Sequence, residues 1–144
     1  MKKKAVNTVK ITFEAMGVNE AFARGTLAAF LLQADPTVAQ LADMKTALSE
    51  AVTNCIVHAY PEKKGPVRLM LTLYDDRSVR IIVADSGVGI PDVEKAMEPL
   101  YTTGNPDERA GLGFAVMKSF MDQVRVTSHP GRGTRVILTK QLDG

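Results

Sequence analysis

Much of what would classify this chain at a glance is missing from it. One cysteine, Cys55, stands among 144 residues, so there is no internal disulfide and no CxxC pair to hold zinc. A reduced, cytoplasmic setting is the simplest expectation. No apolar run approaches the roughly 18 residues that a membrane span needs. "MKKKAVNTVKITF" opens on lysines, but no apolar stretch of a secretory signal follows them. The net charge is only +2 and the basic residues form no block, which argues against direct nucleic-acid binding. There is no internal repeat and no low-complexity tract. Sharply defined nucleotide motifs are absent too: no GxxxxGK[ST] phosphate loop, no third glycine for a dinucleotide fingerprint, and neither the HRD nor the DFG of eukaryotic-type protein kinases.

What is present is ordinary in bulk. Apolar residues make up 45% and charged residues 24% of the chain, both globular values. The length suits one domain over 1–144, large enough for a core without staples. "VKITFEA" alternates as a first strand, and "VNEAFARGTLAAFLLQ" reads as a helix with Asn19 as its N-cap. Asp35 is the expected N-cap of a second helix, with Pro36 in its first turn, running to about Ala59 before Pro61 stops it. Leu41, Met44, Leu48, Val52, Cys55 and Ala59 form its apolar arc. "PVRLMLTLYD" and "SVRIIVADS" are alternating runs around "DDR", an antiparallel hairpin. Residues 85–110 hold three prolines and three glycines with little periodicity beyond a helical turn near 92–97; a stretch this loose in a small domain points to function. "GLGFAVMKSFMD" reads as a helix opened by glycines, and "QVRVTSH" and "TRVILTK" as two strands around "PGRG". The expected fold is α+β, a two-layer α/β sandwich with a mixed, mostly antiparallel sheet and helices on one face.

Three features carry chemistry. In "SEAVTNCIVHAY", Glu50, Asn54 and His58 recur every four residues and would line one side of a helix. The Asn54 amide oxygen suits Mg²⁺ that also binds phosphates, Glu50 could polarise a hydroxyl or water, and His58 could hydrogen-bond beside them. Next, "DSGVGIP" puts the Asp85 carboxylate at a strand end, able to accept from the exocyclic amine of adenine, with Gly87 and Gly89 permitting close backbone approach. Last, "AGLGF" places Gly111 and Gly113 at a helix start, where free N–H groups favour phosphate. Each has a plain alternative: polar residues facing solvent, an aspartate holding its own turn, and glycine punctuation. Together they supply a base, a metal ligand, a base-reading group and a phosphate cradle.

The order ExxxN, DxGxG, loose loop and GxG resembles the ATP-binding domain shared by gyrase, Hsp90, histidine kinases and MutL over roughly residues 40–139. "NEAFARGTLAAF", "LSEAVTNCIVHAY", "GVGIPD", "PLYTT" and "GFAVMKSFMDQV" extend the resemblance over nearly the whole chain to bacterial anti-sigma factors that are also serine kinases, nearest to the sporulation branch acting on sigma F. The resemblance implies ATP or ADP with Mg²⁺ between the Asn54 helix and a flexible lid at about 92–111. It implies Glu50 as catalytic base, Asn54 on the metal, Asp85 with Gly87 and Gly89 at adenine, and Gly111 and Gly113 at the phosphates. Thr102, Thr103 and Thr134 would add hydroxyls. It implies a homodimer through the first strand and helix, with Arg24 at the sigma factor and anti-anti-sigma partners and Arg109 near a γ-phosphate or docked substrate. One departure is Ala59, where the family often has glycine; on a helix it should be tolerated. Neither nucleic acid nor membrane is an expected partner. Other readings are an ATP-gated sigma-binding module without phosphoryl transfer, an anti-sigma kinase of a stress-response sigma factor, a detached histidine-kinase domain, or a gyrase- or MutL-like ATPase. The detached kinase would need a phosphoacceptor helix elsewhere, and 144 residues leave no room for the transducer domains of the last.

Overall fold

A computed structural model describes residues 2–61, 63–97 and 107–142, with backbone alone for 107–112. Five strands form one sheet in the order β1-β2-β3-β5-β4: β1 (Ala5–Glu14), β2 (Pro66–Tyr74), β3 (Ser78–Asp85), β4 (Gln123–His129) and β5 (Gly133–Gln141). All four pairings are antiparallel, so the mostly antiparallel sheet expected from the strand pattern contains no parallel pair among the described residues. Both hairpins follow from their turns: Arg77 at φ 66 closes β2–β3, and Gly131 at φ 78 closes β4–β5. A left-handed position costs glycine little.

Alternation divides the sheet into two faces. Val67, Leu69, Leu71, Val79, Ile81, Val83, Val136 and Leu138 point inward and are buried. They meet α1 (Val18–Leu31), α2 (Val38–Asn54) and α4 (Asp107–Phe120) through Leu27, Leu31, Met44, Leu48, Val52, Phe114 and Met117. Burying these side chains supplies the main drive for folding, about 1.5–3 kcal/mol for each. Among the described residues no helix covers the opposite face.

The helix ends differ in detail from the sequence expectation. Gly17, not Asn19, is the N-cap of α1; Asn19 instead donates Nδ2 to the Glu14 carbonyl at 2.9 Å. Thr37, not Asp35, caps α2, sharing a capping box with Gln40 that satisfies two backbone donors at once. Asp35 takes a left-handed conformation at the close of a short 3-10 turn. Beyond Asn54 the helix widens into a π turn over Cys55–Ala59. His58 lies within this turn, one wide turn beyond Asn54. α3 (Val93–Met97) sits in the expected lid, opened by Asp92, whose Oδ1 accepts from Lys95 N at 3.1 Å.

Candidate functional site

Two clusters form on the helix side of the sheet. The first lies where α2 meets α4. A Cβ on Gly113 would stand 3.2 Å from Glu50 Oε2 and 3.3–3.4 Å from the Asn54 amide atoms. Glycine at 113 therefore brings the α4 backbone against both polar groups. Asn54 Nδ2 is buried and has no hydrogen-bond partner among the described residues, an unusual state for a buried amide. One expectation is corrected here. α4 begins at Asp107, so Gly111 and Gly113 lie within its first two turns, and the free N–H groups of the helix start belong to residues nearer 107. Glycine disfavours a helix interior, which is why the pair reads as a boundary in the sequence.

The second cluster is built on Asp85, an inward-facing position that is only 7% exposed. Its Oδ1 accepts from Gly87 N at 2.9 Å and from Thr134 N at 3.2 Å. The Cys55 thiol donates to Oδ2 at 3.4 Å. Burial first, then the Asp85 charge and this hydrogen bond, hold the Cys55 pKa well above its usual value, so the thiol stays protonated and able to donate.

The Asp85 loop is held from both sides. Val88 N donates to the Ala59 carbonyl at 2.9 Å, and a Cβ on Gly87 would come within 2.1 Å of that oxygen. Ala59 itself is buried at the end of the π turn. Opposite, Gly89 at φ 80 packs on the His129 carbonyl, Gly131 N bonds to the Val88 carbonyl at 2.8 Å, and Ile90 N donates to Ser128 Oγ at 2.7 Å. Ser128 and Thr134 join hydroxyls at 2.8 Å. Tyr60 Oη accepts from Ser86 N at 2.7 Å and donates to the Pro66 carbonyl at 2.6 Å.

The two clusters meet at Cys55, which follows Asn54 directly and touches Asp85. Glu50, Asn54 and Gly113 are thus brought together, as are Asp85, Gly87, Gly89 and Thr134. Thr102 and Thr103 lie outside the described residues, as does the Arg109 side chain. Arg24 stands apart on α1, paired with Glu20 at 3.0 Å and partly exposed. Cys55, Ser128, Gly133 and Tyr60 were missed by sequence reasoning. Of these only Gly133 carried a local signal, a second glycine in a hairpin turn; at φ 114 it packs against the Asp85 carbonyl.

A separate shallow cavity of about 660 Å³ lies on the bare face of the sheet, lined by Lys10, Arg68, Met70, Ile82 and Arg135 among others. Asp85 and Thr134 border it, but Glu50, Asn54 and Gly113 do not. The Arg68 guanidinium reaches the Asp85 carbonyl at 3.5 Å from that side, while the carboxylate faces Cys55. The cavity is therefore distinct from the space between α2 and α4. Among the described residues no helix is long and apolar enough to cross a membrane.

With this geometry in view, known proteins give a consistent placement. A model of the histidine kinase-like ATPase domain matches residues 14–140. An anti-sigma F factor of Caldanaerobacter subterraneus subsp. tengcongensis is 51% identical over 136 residues, 94% of either chain. Another from Clostridium acetobutylicum is 48% identical over the same share. Among solved structures, the RsbU and RsbW domains of Rv1364c from Mycobacterium tuberculosis align with TM-score 0.70 at 24% identity, over 95% of this chain and 33% of that one. The catalytic domain of histidine kinase ThkA aligns with TM-score 0.57 at 16% identity, over 95% and 97%; at such identities the likeness speaks for the fold. The chain belongs to the histidine kinase-like ATPase family and, within it, to the anti-sigma F factors.

Proposed function

We propose that this chain is a cytoplasmic anti-sigma factor that holds a sigma F-type sporulation sigma factor inactive and acts as an ATP-dependent serine kinase on the anti-anti-sigma antagonist. The observation that carries the reading is the joining of the Glu50 carboxylate and the Asn54 amide, unpartnered among the described residues, to the buried Asp85 carboxylate through one shared residue, Cys55. The anti-sigma F factor names of relatives near 50% identity support the choice of partners.

ATP would lie with adenine at Asp85, Gly87, Gly89 and Thr134 and its phosphates toward Asn54, Gly111 and Gly113, with Thr102 and Thr103 from the lid. The donor set suits Mg²⁺ shared with a nucleotide rather than a protein-built metal site. No group of three or more His, Cys, Asp or Glu that could hold a metal occurs among the described residues, whereas Asn54 offers one hard amide oxygen. Bound there, the ion would neutralise phosphate charge. Glu50 accepts the proton of the substrate serine as its oxygen bonds to the γ-phosphorus and the bond to the leaving ADP oxygen breaks. A phosphoserine on the antagonist then repels and desolvates poorly at the contact surface, which releases it. Arg24 would serve partner contact once it leaves Glu20, Arg109 would meet the γ-phosphate or docked substrate, and two copies would pair through β1 and α1.

Incubation with labelled ATP, Mg²⁺ and an antagonist protein tests this directly. The expected product is phosphoserine on the antagonist. Nucleotide binding without phosphoserine would leave a nucleotide-gated sigma-binding module instead.

A further inference from the structure

The Asp85 carboxylate is held asymmetrically. Two backbone N–H groups, Gly87 and Thr134, converge on Oδ1, whereas among the described residues the Cys55 thiol is the donor on Oδ2. Two donors on one oxygen restrict the broad terminal torsion of aspartate but leave it to librate within the slack of those hydrogen bonds, because rotating the plane moves both oxygens together. A contact on the second oxygen narrows that libration. A thiol also suits the distance, since sulfur donates over a longer reach than a hydroxyl oxygen. Cys55 is 4% exposed and opens the π turn, so its side chain has little freedom to look elsewhere.

We propose that Cys55 is a positioning residue for base recognition: its S–H fixes the Asp85 carboxylate plane and leaves the remaining lone pair of Oδ2 for the exocyclic amine of the bound base. The inference rests on Asp85 reading adenine, as proposed above. It makes adenine selectivity depend on a side chain that need not touch the nucleotide. A 6-oxo base such as hypoxanthine presents an acceptor where adenine presents a donor. A carboxylate with its plane fixed repels that acceptor, and one that can librate or admit water tolerates it better.

The experiment compares ADP and IDP affinities by calorimetry for wild type, Cys55→Ser, Cys55→Ala and Cys55→Val, with thermal unfolding recorded for each. Serine keeps a donor, valine keeps apolar bulk without one, and alanine removes both. The ratio of IDP to ADP dissociation constants should fall about five-fold in the alanine and valine variants and recover in serine, a modest factor because S–H is a weak donor to a charged acceptor. Loss of stability alone would weaken both nucleotides together and leave the ratio unchanged. An unchanged ratio in alanine and valine, with ADP still bound, would reduce Cys55 to a packing residue. If wild type binds ADP but Asp85→Asn leaves the ratio untouched, the reading of Asp85 fails and this inference with it. A second readout needs no Cys55 variant. Because the chain has one cysteine, its S–H infrared band has a single source. That band should lie below the free-thiol position in wild type and shift upward in Asp85→Asn; a band already at the free-thiol position would overturn the proposal.

Discussion

The two ends of the candidate site are built on opposite plans. At the Asp85 end the polar groups are already paired: the carboxylate has donors on both oxygens, and its loop is tied to Ala59 on one side and to the β4–β5 hairpin on the other. At the Asn54 end a buried amide nitrogen has no partner among the described residues, with Glu50 beside it across Gly113. The contrast suits the two tasks proposed for these ends. Recognising a flat base demands a fixed plane before the ligand arrives, so hydrogen bonds are made in advance. Handling phosphates and a transferring proton demands groups whose capacity is still unspent, since charge there develops only with substrate bound.

The contrast can be broken at either end. The largest effect is expected for Glu50→Gln, which should slow phosphoryl transfer to the antagonist by about a hundred- to ten-thousand-fold while leaving ADP affinity and the IDP/ADP ratio intact; phosphoserine assays beside calorimetry read both. Gly87→Ala strikes the prearranged end, where the added methyl would run into the Ala59 carbonyl. We expect a loss of about 2 kcal/mol or more in urea unfolding, together with weakened nucleotide binding. Asn54→Ala should sharpen the comparison by removing the Mg²⁺ dependence of ADP affinity, weakening it about ten-fold at saturating magnesium with base preference unchanged. Ser128→Ala, which releases Ile90 N and the Thr134 hydroxyl, should cost about 1 kcal/mol and act on the base end alone.

The smallest effect is one of pH. Burial and the Asp85 charge raise the Cys55 pKa in the folded chain above its ordinary 9.0, so the unfolded chain releases that proton first. The stability tied to the protonated thiol is whole below about pH 9 and is lost as pH climbs through the higher folded value. Urea midpoints should therefore fall more steeply above pH 9 in wild type than in Cys55→Ala.

The strands were legible because each alternates over a half-buried sheet, and Leu69, Leu71, Ile81 and Val83 could hardly face elsewhere. Glu50 and Asn54 were legible because polar side chains four residues apart stand out beside an apolar arc, and Asp85 because it ends a strand at two glycines. What escaped depends on distant partners. Nothing local distinguishes Cys55 from any core cysteine until Asp85 is folded against it. Ser128 looks like any strand serine until the Asp85 loop docks beside it. The π turn and the early start of α4 are set by small energy differences between helix geometries, which periodicity does not resolve. Thr37 outcompetes Asp35 because only Thr37 has Gln40 three residues on to complete a reciprocal cap.

The clamping of the Asp85 loop by residues 128–134 also bears on biosynthesis. As the nascent chain leaves the ribosome, Glu50, Asn54 and Asp85 emerge well before the hairpin whose backbone steadies the aspartate. The adenine recognition proposed for Asp85 should then mature only once β5 is laid into the sheet, and a ribosome-stalled chain ending before Thr134 should retain no nucleotide.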